Sequence, residues 1–468
     1  MSTPEEIVRA LDEPALADWL RERRWFASKA RNLQRVSVLD ALALSAGEPP
    51  LVVAIVEARF DAGTHELYQL VLTLAPRKDR DEGENEAEAP EQVAAMGELA
   101  VLDTLAAPGA AADLGGLLLA GAEIEGPASR VRFCRPEGAS AREVPRPVRI
   151  LDVEQSNSSI VFAETLILKC FRKLEPGDNP ELEMLRFLDQ RGFANIAPLE
   201  GWYEYRGELL DATLGVAQRF VAGRDGWELA LDELAQAPHR LRERLRELGR
   251  VVGRMHTTLG SDGSDPDFAP EEKSAESIAL VIATVDEEIR QVFEDIPEDD
   301  ARYADIAGRG QELRDRLSAM SRIGTGGAAI RTHGDLHLGQ TLLRPDDEWL
   351  ILDFEGEPGR PLLERRRKRS PLRDVAAMLR SISYAAGAQR GAPAPEGWVE
   401  DARAAFLEGH RETVDPALLP GAETTRKLIS IFELEKAIYE LRYERNNRPD
   451  WIDIPIAGIA RILEEPIG

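Results

Sequence analysis

Two short motifs carry the residues of this chain with the clearest capacity for chemistry. The segment His333–Gln340 places Asp335 on a tight loop, and Asp353 follows Gln340 thirteen positions later, after an apolar strand-like run. A carboxylate such as Asp335 can accept a proton from a substrate hydroxyl. The amide oxygen of Gln340 and the carboxylate of Asp353 are ligands that suit Mg²⁺. This ordered set is typical of phosphoryl transfer from ATP, which depends on positioning and charge neutralisation.

Two side chains beside these motifs allow both a functional and a structural interpretation. Glu355 follows Asp353 closely, and it contacts the acceptor substrate or a metal-bound water, or else forms a structural salt bridge. His333 is interpreted as a structural residue that braces the loop, in preference to a general base.

Lys169 lies within the apolar strand-like run Leu166–Phe171. An ammonium there requires a partner, because burying an unpaired charge is costly. We expect Lys169 to contact the phosphates of ATP and to pair with a carboxylate of the next helix, which Asn179 caps. Glu181 and Glu183 compete for this ion pair, and we choose Glu183.

A polar turn before the Lys169 strand is expected to cover the phosphates of ATP. Because it lacks a glycine-rich pattern, its backbone amides and side chains must make the contacts. A later strand is expected to meet the adenine through backbone groups, at Gln218 and Phe220. The turn residues predicted to bind the nucleotide are Gln155, Ser156 and Ser158.

One face of the predicted helix Thr425–Asn446 has the composition of a sugar-binding surface. Lys436, Tyr439 and Tyr443 share a face at spacings of three and seven residues. Aromatic rings stack on the C–H faces of sugars while their polar tips meet hydroxyl groups. An ordinary interfacial stripe is the alternative interpretation.

The amino-acid composition and net charge of the chain limit the classes of molecule that are expected to bind it. The chain has 468 residues, of which 43% are hydrophobic, and a formal net charge of −26. This charge argues against nucleic acid and anionic membranes as partners. Cys134 and Cys170 are the only cysteines, which fits a reducing cytoplasm. We expect no signal peptide and no membrane span.

With these motifs, the chain resembles the bacterial maltokinase family, whose members make maltose 1-phosphate from ATP and maltose for α-glucan (glycogen) synthesis. The resemblance covers essentially the whole length. It implies that Asp335 is the catalytic residue, that Gln340 and Asp353 bind Mg²⁺, and that the tyrosine-bearing helix contacts the sugar. Its most specific segments are His333–Gln340, 353–358, Ser370–Arg380, Tyr439–Tyr443, 447–451 and 154–157.

The resemblance also implies an α+β fold that is bilobal and protein kinase-like (aminoglycoside phosphotransferase-like), with an N-terminal β-rich cap subdomain. We therefore expect a cap at 1–108, an intermediate subdomain with the small-lobe sheet at 109–222, and a mostly helical C-terminal lobe at 223–468. The expected ligands are ATP, Mg²⁺ and maltose. A complex with a trehalose synthase-type enzyme is a further expectation.

Two alternatives remain open from sequence. Close relatives of the family also phosphorylate glucosamine, so the chain is alternatively an amino-sugar or aminoglycoside kinase. That alternative predicts additional carboxylates at the acceptor site, such as Glu355, Glu440 or Glu444. A non-catalytic binding protein on the same fold predicts a damaged metal site, and the presence of Gln340 and Asp353 argues against it.

Overall fold

The chain folds into two compact units. Its structure, a computed structural model, describes residues 2–45, 47, 49–77, 91–106, 108–139, 143–151, 156–272, 274–297, 300–321, 323, 326–357, 359–388 and 394–464. The first unit comprises Met1–Arg186 and Ala197–Ala222, and the second comprises Phe187–Ile196 and Gly223–Gly468. The three-part division expected from sequence stays a prediction.

The first unit opens with two short helices, α1 (Pro4–Arg9) and α2 (Glu13–Glu22), which lie against an antiparallel sheet. Thr3 and Asp12 cap them, since each side chain accepts a hydrogen bond from a first-turn backbone N–H. The sheet runs in the order β1-β2-β3-β5-β4. Its strands are β1 (Leu33–Ser45), β2 (Leu51–Phe60), β3 (His65–Pro76), β4 (Gln92–Met96) and β5 (Leu99–Asp103).

Two helices and a second, seven-stranded sheet complete this unit, and the last turn of the second helix, from Phe187, is counted with the second unit. The sheet has the order β6-β7-β12-β13-β10-β9-β8, and the short strand β11 pairs with β3 of the first sheet. Apolar side chains of both sheets and of α3 share one buried cluster. The elements are α3 (Pro108–Ala120), β6 (Glu123–Glu125), β7 (Ser129–Cys134), β8 (Val148–Leu151), β9 (Asn157–Phe162), β10 (Leu166–Phe171), β11 (Lys173–Leu174), α4 (Pro180–Gln190), β12 (Leu199–Gly207) and β13 (Asp211–Arg219).

The second unit is mostly helical. Its described strands form a three-stranded sheet, β14-β17-β18, and a two-stranded sheet, β15-β16. No helix among the described residues is both long and apolar enough to cross a membrane. The elements are β14 (Arg224–Asp225), α5 (Gly226–Gln236), α6 (Pro238–Leu259), β15 (Glu271–Glu272), α7 (Ala275–Glu294), α8 (Gly310–Met320), β16 (Ala328–Ala329), β17 (Thr341–Leu343), β18 (Trp349–Ile351), α9 (Leu362–Arg365), α10 (Leu372–Gly387), α11 (Trp398–Thr413), α12 (Ala422–Asn447) and α13 (Asp453–Glu464).

Candidate active site

The loop that carries Asp335 is fixed by a buried carboxylate from α10. Asp374 is 2% exposed, and its two oxygens accept hydrogen bonds from the backbone N–H groups of His333 (2.8 Å) and Gly334 (3.0 Å). Burial raises the pKa of Asp374, but the hydrogen bond and charge of His256 outweigh this effect, so that the pKa is lowered overall. The lowered pKa favours the carboxylate form of Asp374, which holds the backbone on which Asp335 stands.

His333 braces the same loop, as the sequence predicts. Its Nε2 lies 2.8 Å from the carbonyl oxygen of Leu352, and its Nδ1 accepts from the backbone N–H of Asp335 at 3.3 Å. Both ring nitrogens are thus used within the protein, and the side chain is 1% exposed. This geometry describes a structural imidazole that braces the loop.

Two glycines let the Asp335 loop approach the loop after β18. Gly334 has φ +86° and Gly356 has φ +74°, a region that side chains with a Cβ rarely adopt. A Cβ on Gly334 would lie 3.3 Å from the Cα of Gly356. The two predicted motifs are therefore packed against each other through backbone, which brings Asp335 and Asp353 onto adjacent loops.

Asp335 faces a cavity together with two of the predicted sugar contacts. We call it the acceptor cavity; it measures about 110 Å³, and its lining includes Asp335, Lys436 and Tyr439. The Nζ of Lys436 lies 3.8 Å from Asp335 Oδ1 and 5.4 Å from the ring centre of Tyr439. Tyr443 is absent from the lining of this cavity, but its ring stacks on Tyr439 at 6.3 Å, and both rings are partly exposed.

Gln340 and Asp353, the predicted metal ligands, lie side by side. Gln340 Nε2 donates to Asp353 Oδ2 at 3.0 Å. Asp353 adopts a left-handed backbone conformation, φ +60°, which is uncommon for a residue other than glycine and is found disproportionately at functional sites. Amide and carboxylate oxygens are the donors that Mg²⁺ prefers, so the chemistry of this pair fits the ion.

The carboxylates proposed for an amino-sugar site are engaged by arginines. Arg365 Nη1 lies 3.7 Å from Glu355 Oε2 and also donates to the Glu355 backbone oxygen, which matches the salt-bridge interpretation of Glu355. Glu440 accepts two hydrogen bonds from Arg380, at 3.0 and 2.7 Å. Glu444 is 1% exposed and accepts two from Arg448. These contacts do not match the amino-sugar prediction for these three residues.

In the first unit, the ion pair of Lys169 is formed with Glu181. The Nζ of Lys169, on β10, lies 3.0 Å from Glu181 Oε2, and both side chains are largely buried. Asn179 caps α4 as predicted, since its side chain accepts from the backbone N–H of Glu181 at 2.9 Å. The choice of Glu183 was wrong, because the rotation of α4 over the sheet turns Glu181 toward the strand.

The structure describes two of the three residues predicted to form the nucleotide turn. Ser158 opposes Cys170 in the β9–β10 register, so its side chain lies on the face opposite to Lys169. Its hydroxyl accepts a hydrogen bond from buried Arg172 at 2.8 Å, and its contact with the phosphates stays a prediction. Ser156 is exposed, and its role stays a prediction. Gln155 lies outside the described residues.

The predicted hinge residues have their own partners in the sheet. Gln218 pairs with Ile167 on one side and with Leu199 on the other, and its side chain donates to the carbonyl oxygen of Ala197. The backbone N–H of Phe220 donates to Thr165 at 3.0 Å. Backbone donation to adenine from Phe220 would have to replace that bond. The adenine contact of both residues stays a prediction.

Sequence reasoning missed the buried polar residues behind the Asp335 loop. His256 Nε2 lies 3.2 Å from Asp374 Oδ2, and its Nδ1 lies 3.1 Å from His410 Nε2. These residues stand on α6, α10 and α11, far apart in sequence. The available signal was Asp374 within the family-like segment Ser370–Arg380.

His410, one of the two buried histidines of this group, makes the stability of the protein dependent on pH. Burial, reinforced by His256, holds the pKa of His410 well below its usual range. The unfolded state then binds more protons below about pH 6.5, so stability falls as the pH drops through this window. We expect the melting temperature to fall between pH 7.5 and 5.5, and to fall less steeply in His410→Gln. Circular dichroism melts of both proteins measure this, and parallel slopes would contradict it.

Comparison with known proteins finds two family models that match separate segments of the chain. Residues 147–356 match the phosphotransferase enzyme family, and residues 19–113 match the maltokinase N-terminal cap domain. The chain thus contains a segment similar to the phosphotransferase enzyme family and a segment similar to the maltokinase cap.

Individual relatives agree with these matches. A glucosamine kinase of Streptacidiphilus jiangxiensis is 25% identical over 332 residues, which is 67% of this chain and 73% of that protein. One of Mycolicibacterium smegmatis (strain ATCC 700084 / mc(2)155) is 25% identical over 353 residues, 69% of this chain and 82% of that protein.

Solved structures establish the fold. A glucosamine kinase in complex with glucosamine, ADP and inorganic phosphate has a TM-score of 0.70 at 19% identity, covering 98% of this chain and 99% of that chain. Crystal form B of glucosamine kinase gives 0.72 at 20% identity, covering 99% and 100%. The predicted α+β kinase-like fold with a β-rich cap is confirmed.

Proposed function

We propose that this protein is an ATP-dependent kinase that phosphorylates a hydroxyl group of a sugar. The observation that carries the proposal is the acceptor cavity, in which Asp335 and Tyr439 face the same space and Lys436 lies 3.8 Å from the carboxylate. The site therefore offers a carboxylate, an ammonium group and an exposed aromatic ring. Together these groups suit the binding of a sugar, whose ring carries several hydroxyl groups. The phosphotransferase-family match to residues 147–356 supports the reaction class.

Each residue has a distinct part in the proposed reaction. Asp335 orients the acceptor hydroxyl and takes its proton as the oxygen attacks the γ-phosphorus. Asp374 and His333 hold the loop so that this geometry exists before the substrate binds. Lys169, fixed by Glu181, contacts the nucleotide phosphates. Gln340 and Asp353 would hold Mg²⁺, which neutralises charge on the phosphates when it is bound.

The first candidate acceptor is maltose, phosphorylated at its anomeric hydroxyl to give maltose 1-phosphate. The match of residues 19–113 to the maltokinase cap supports it. The stacked pair of Tyr439 and Tyr443 also supports it, because two exposed rings 6.3 Å apart extend the aromatic surface beyond the acceptor cavity. An extended surface suits an acceptor with more than one sugar ring.

The second candidate is an amino sugar, and one carboxylate favours it. Glu288 of α7 lines the acceptor cavity, and burial together with the nearby charge of Glu435 raises its pKa. Among the residues that the structure describes, Glu288 has no basic side chain within ion-pair distance. An ammonium group on the acceptor would stabilise its charged form. The names of the relatives, both glucosamine kinases, point in the same direction.

The test is ADP release from Mg-ATP with maltose, glucosamine and glucose as separate acceptors. Activity that depends on a sugar is expected, and its absence with every sugar would overturn the proposed function. Glu288→Gln then separates the candidates. A selective loss of glucosamine turnover supports the amino sugar, whereas strong maltose turnover unaffected by this variant supports maltose. Glu287→Gln, on the exposed side of the same helix, is the matched control.

A further inference from the structure

A second, larger cavity in the second unit lies beside the acceptor cavity. We call it the basic cavity; it measures about 400 Å³ and is bounded by α7, by the segment 360–373 and by α12. Its volume is within the range of about 300–1,000 Å³ that is usual for small-molecule sites. It shares part of its wall with the acceptor cavity, namely Arg360, Arg369, Arg373, Phe432 and Glu435.

The charge of this cavity is opposite to that of the protein. Five basic residues line it against two acidic ones, in a chain whose formal net charge is −26. Aliphatic side chains of α7 and α12, with Phe432, form the remaining wall. Such a combination of cations and an apolar wall is complementary to an anion attached to an organic body. The basic residues are Arg360, Arg367, Lys368, Arg369 and Arg373.

Three of the five cations are already neutralised within the protein. Arg360 pairs with Glu357 at 2.5 Å, Arg373 with Glu435 at 2.8 Å, and Lys368 with Glu271 at 2.9 Å. The net positive charge of the basic cavity therefore comes from the other two residues, Arg367 and Arg369.

Arg367 and Arg369 have no carboxylate within ion-pair distance in the described part of the chain. Arg367 is exposed, whereas Arg369 is half-buried and its side chain donates to the backbone oxygen of Glu364, at 3.4 Å. Burial, together with the charges of Arg373 and Arg360, lowers the pKa of Arg369. The nearby charges of Glu435 and Glu357 oppose this shift only in part, so an incoming anion would add favourable counter-charge beside Arg369.

We infer that the basic cavity is a second ligand site, which takes a phosphorylated small molecule through Arg367 and Arg369. The phosphate meets the two guanidinium groups, and the organic part lies against the aliphatic wall. A sugar phosphate and a nucleoside monophosphate share this chemistry. The inference goes beyond the proposed kinase reaction, since binding here requires neither turnover nor Asp335.

Calorimetric titration of the full chain with glucose 6-phosphate, AMP and inorganic phosphate tests this site. Saturating Mg-ADP is present, so that phosphate sites of the proposed nucleotide position are filled. Loss of two charged hydrogen-bonding groups in Arg367→Gln/Arg369→Gln is expected to weaken binding by about tenfold or more. Arg411→Gln, an exposed arginine on α11, is the control and should bind as the unaltered protein does.

Each result of the titration supports or overturns a stated part of the proposed site. Tighter binding of glucose 6-phosphate than of AMP identifies a sugar phosphate, and the reverse identifies a nucleotide. Absence of binding, or equal binding by the double variant, would overturn the site. Binding of inorganic phosphate as tight as that of either organic phosphate would overturn the role of the aliphatic wall. Arg369→Lys retains the charge and should recover part of the affinity, which excludes misfolding as the cause of a loss. None of these results depends on a kinase assay.

Discussion

Asp335→Asn is expected to lower turnover by about 10²- to 10⁴-fold while nucleotide binding is retained. The amide has nearly the shape of the carboxylate but cannot take the proton of the acceptor hydroxyl. The backbone of the loop is held independently by Asp374 and His333, so the substitution should leave the fold intact. ADP release in the presence of the acceptor sugar measures turnover, and calorimetry with Mg-ATP measures nucleotide binding.

A matched control is available on the same unit. Asp346 lies exposed in the turn between β17 and β18, where it pairs with Arg344. Asp346→Asn removes one negative charge without touching the acceptor cavity and should leave turnover unchanged. Near-normal turnover of Asp335→Asn, beside an unaffected control, would remove Asp335 from the catalytic role and with it the main support for the proposed reaction.

The parts of the site that are predictable from sequence are those set by local chain geometry. Asn179 and Pro180 begin α4 because capping depends on residues within one turn. Gln340 and Asp353 meet because β17 and β18 are neighbours and antiparallel. Lys436, Tyr439 and Tyr443 share a face because helical periodicity fixes it once α12 forms.

Other parts of the site depend on how the helices and strands pack, which the spacing of residues in the sequence does not determine. Both Glu181 and Glu183 lie in the first turn of α4, and only the packing of the helix selects Glu181. Asp374 reaches its loop from about forty residues away. α3 has small and apolar residues on most of its faces, with Leu114 and Leu118 fully buried, so it shows no clear polar face in the sequence.

Lys169→Met is expected to destabilise the protein by about 3–5 kcal/mol, because it removes the positive charge 3.0 Å from the buried carboxylate of Glu181. The Glu181 side chain is 3% exposed and that of Lys169 is 13% exposed, so solvent compensates the lost charge only weakly. The double variant Lys169→Met/Glu181→Leu should recover most of the stability, since an apolar pair of similar volume substitutes for a buried ion pair. Urea unfolding of the single and double variants measures this difference.

Activity separates the structural part of this ion pair from its proposed role at the nucleotide. The stabilised double variant should still lack turnover, because the phosphates of ATP have lost the ammonium group that Lys169 supplies. Glu183→Gln is the matched control for Glu181→Gln, since both residues lie in the first turn of α4 and only Glu181 is found 3.0 Å from Lys169. Glu181→Gln should lower both stability and turnover, and the same losses should be much smaller in Glu183→Gln. The opposite order would restore Glu183 as the partner, and full turnover of the double variant would assign Lys169 a purely structural role.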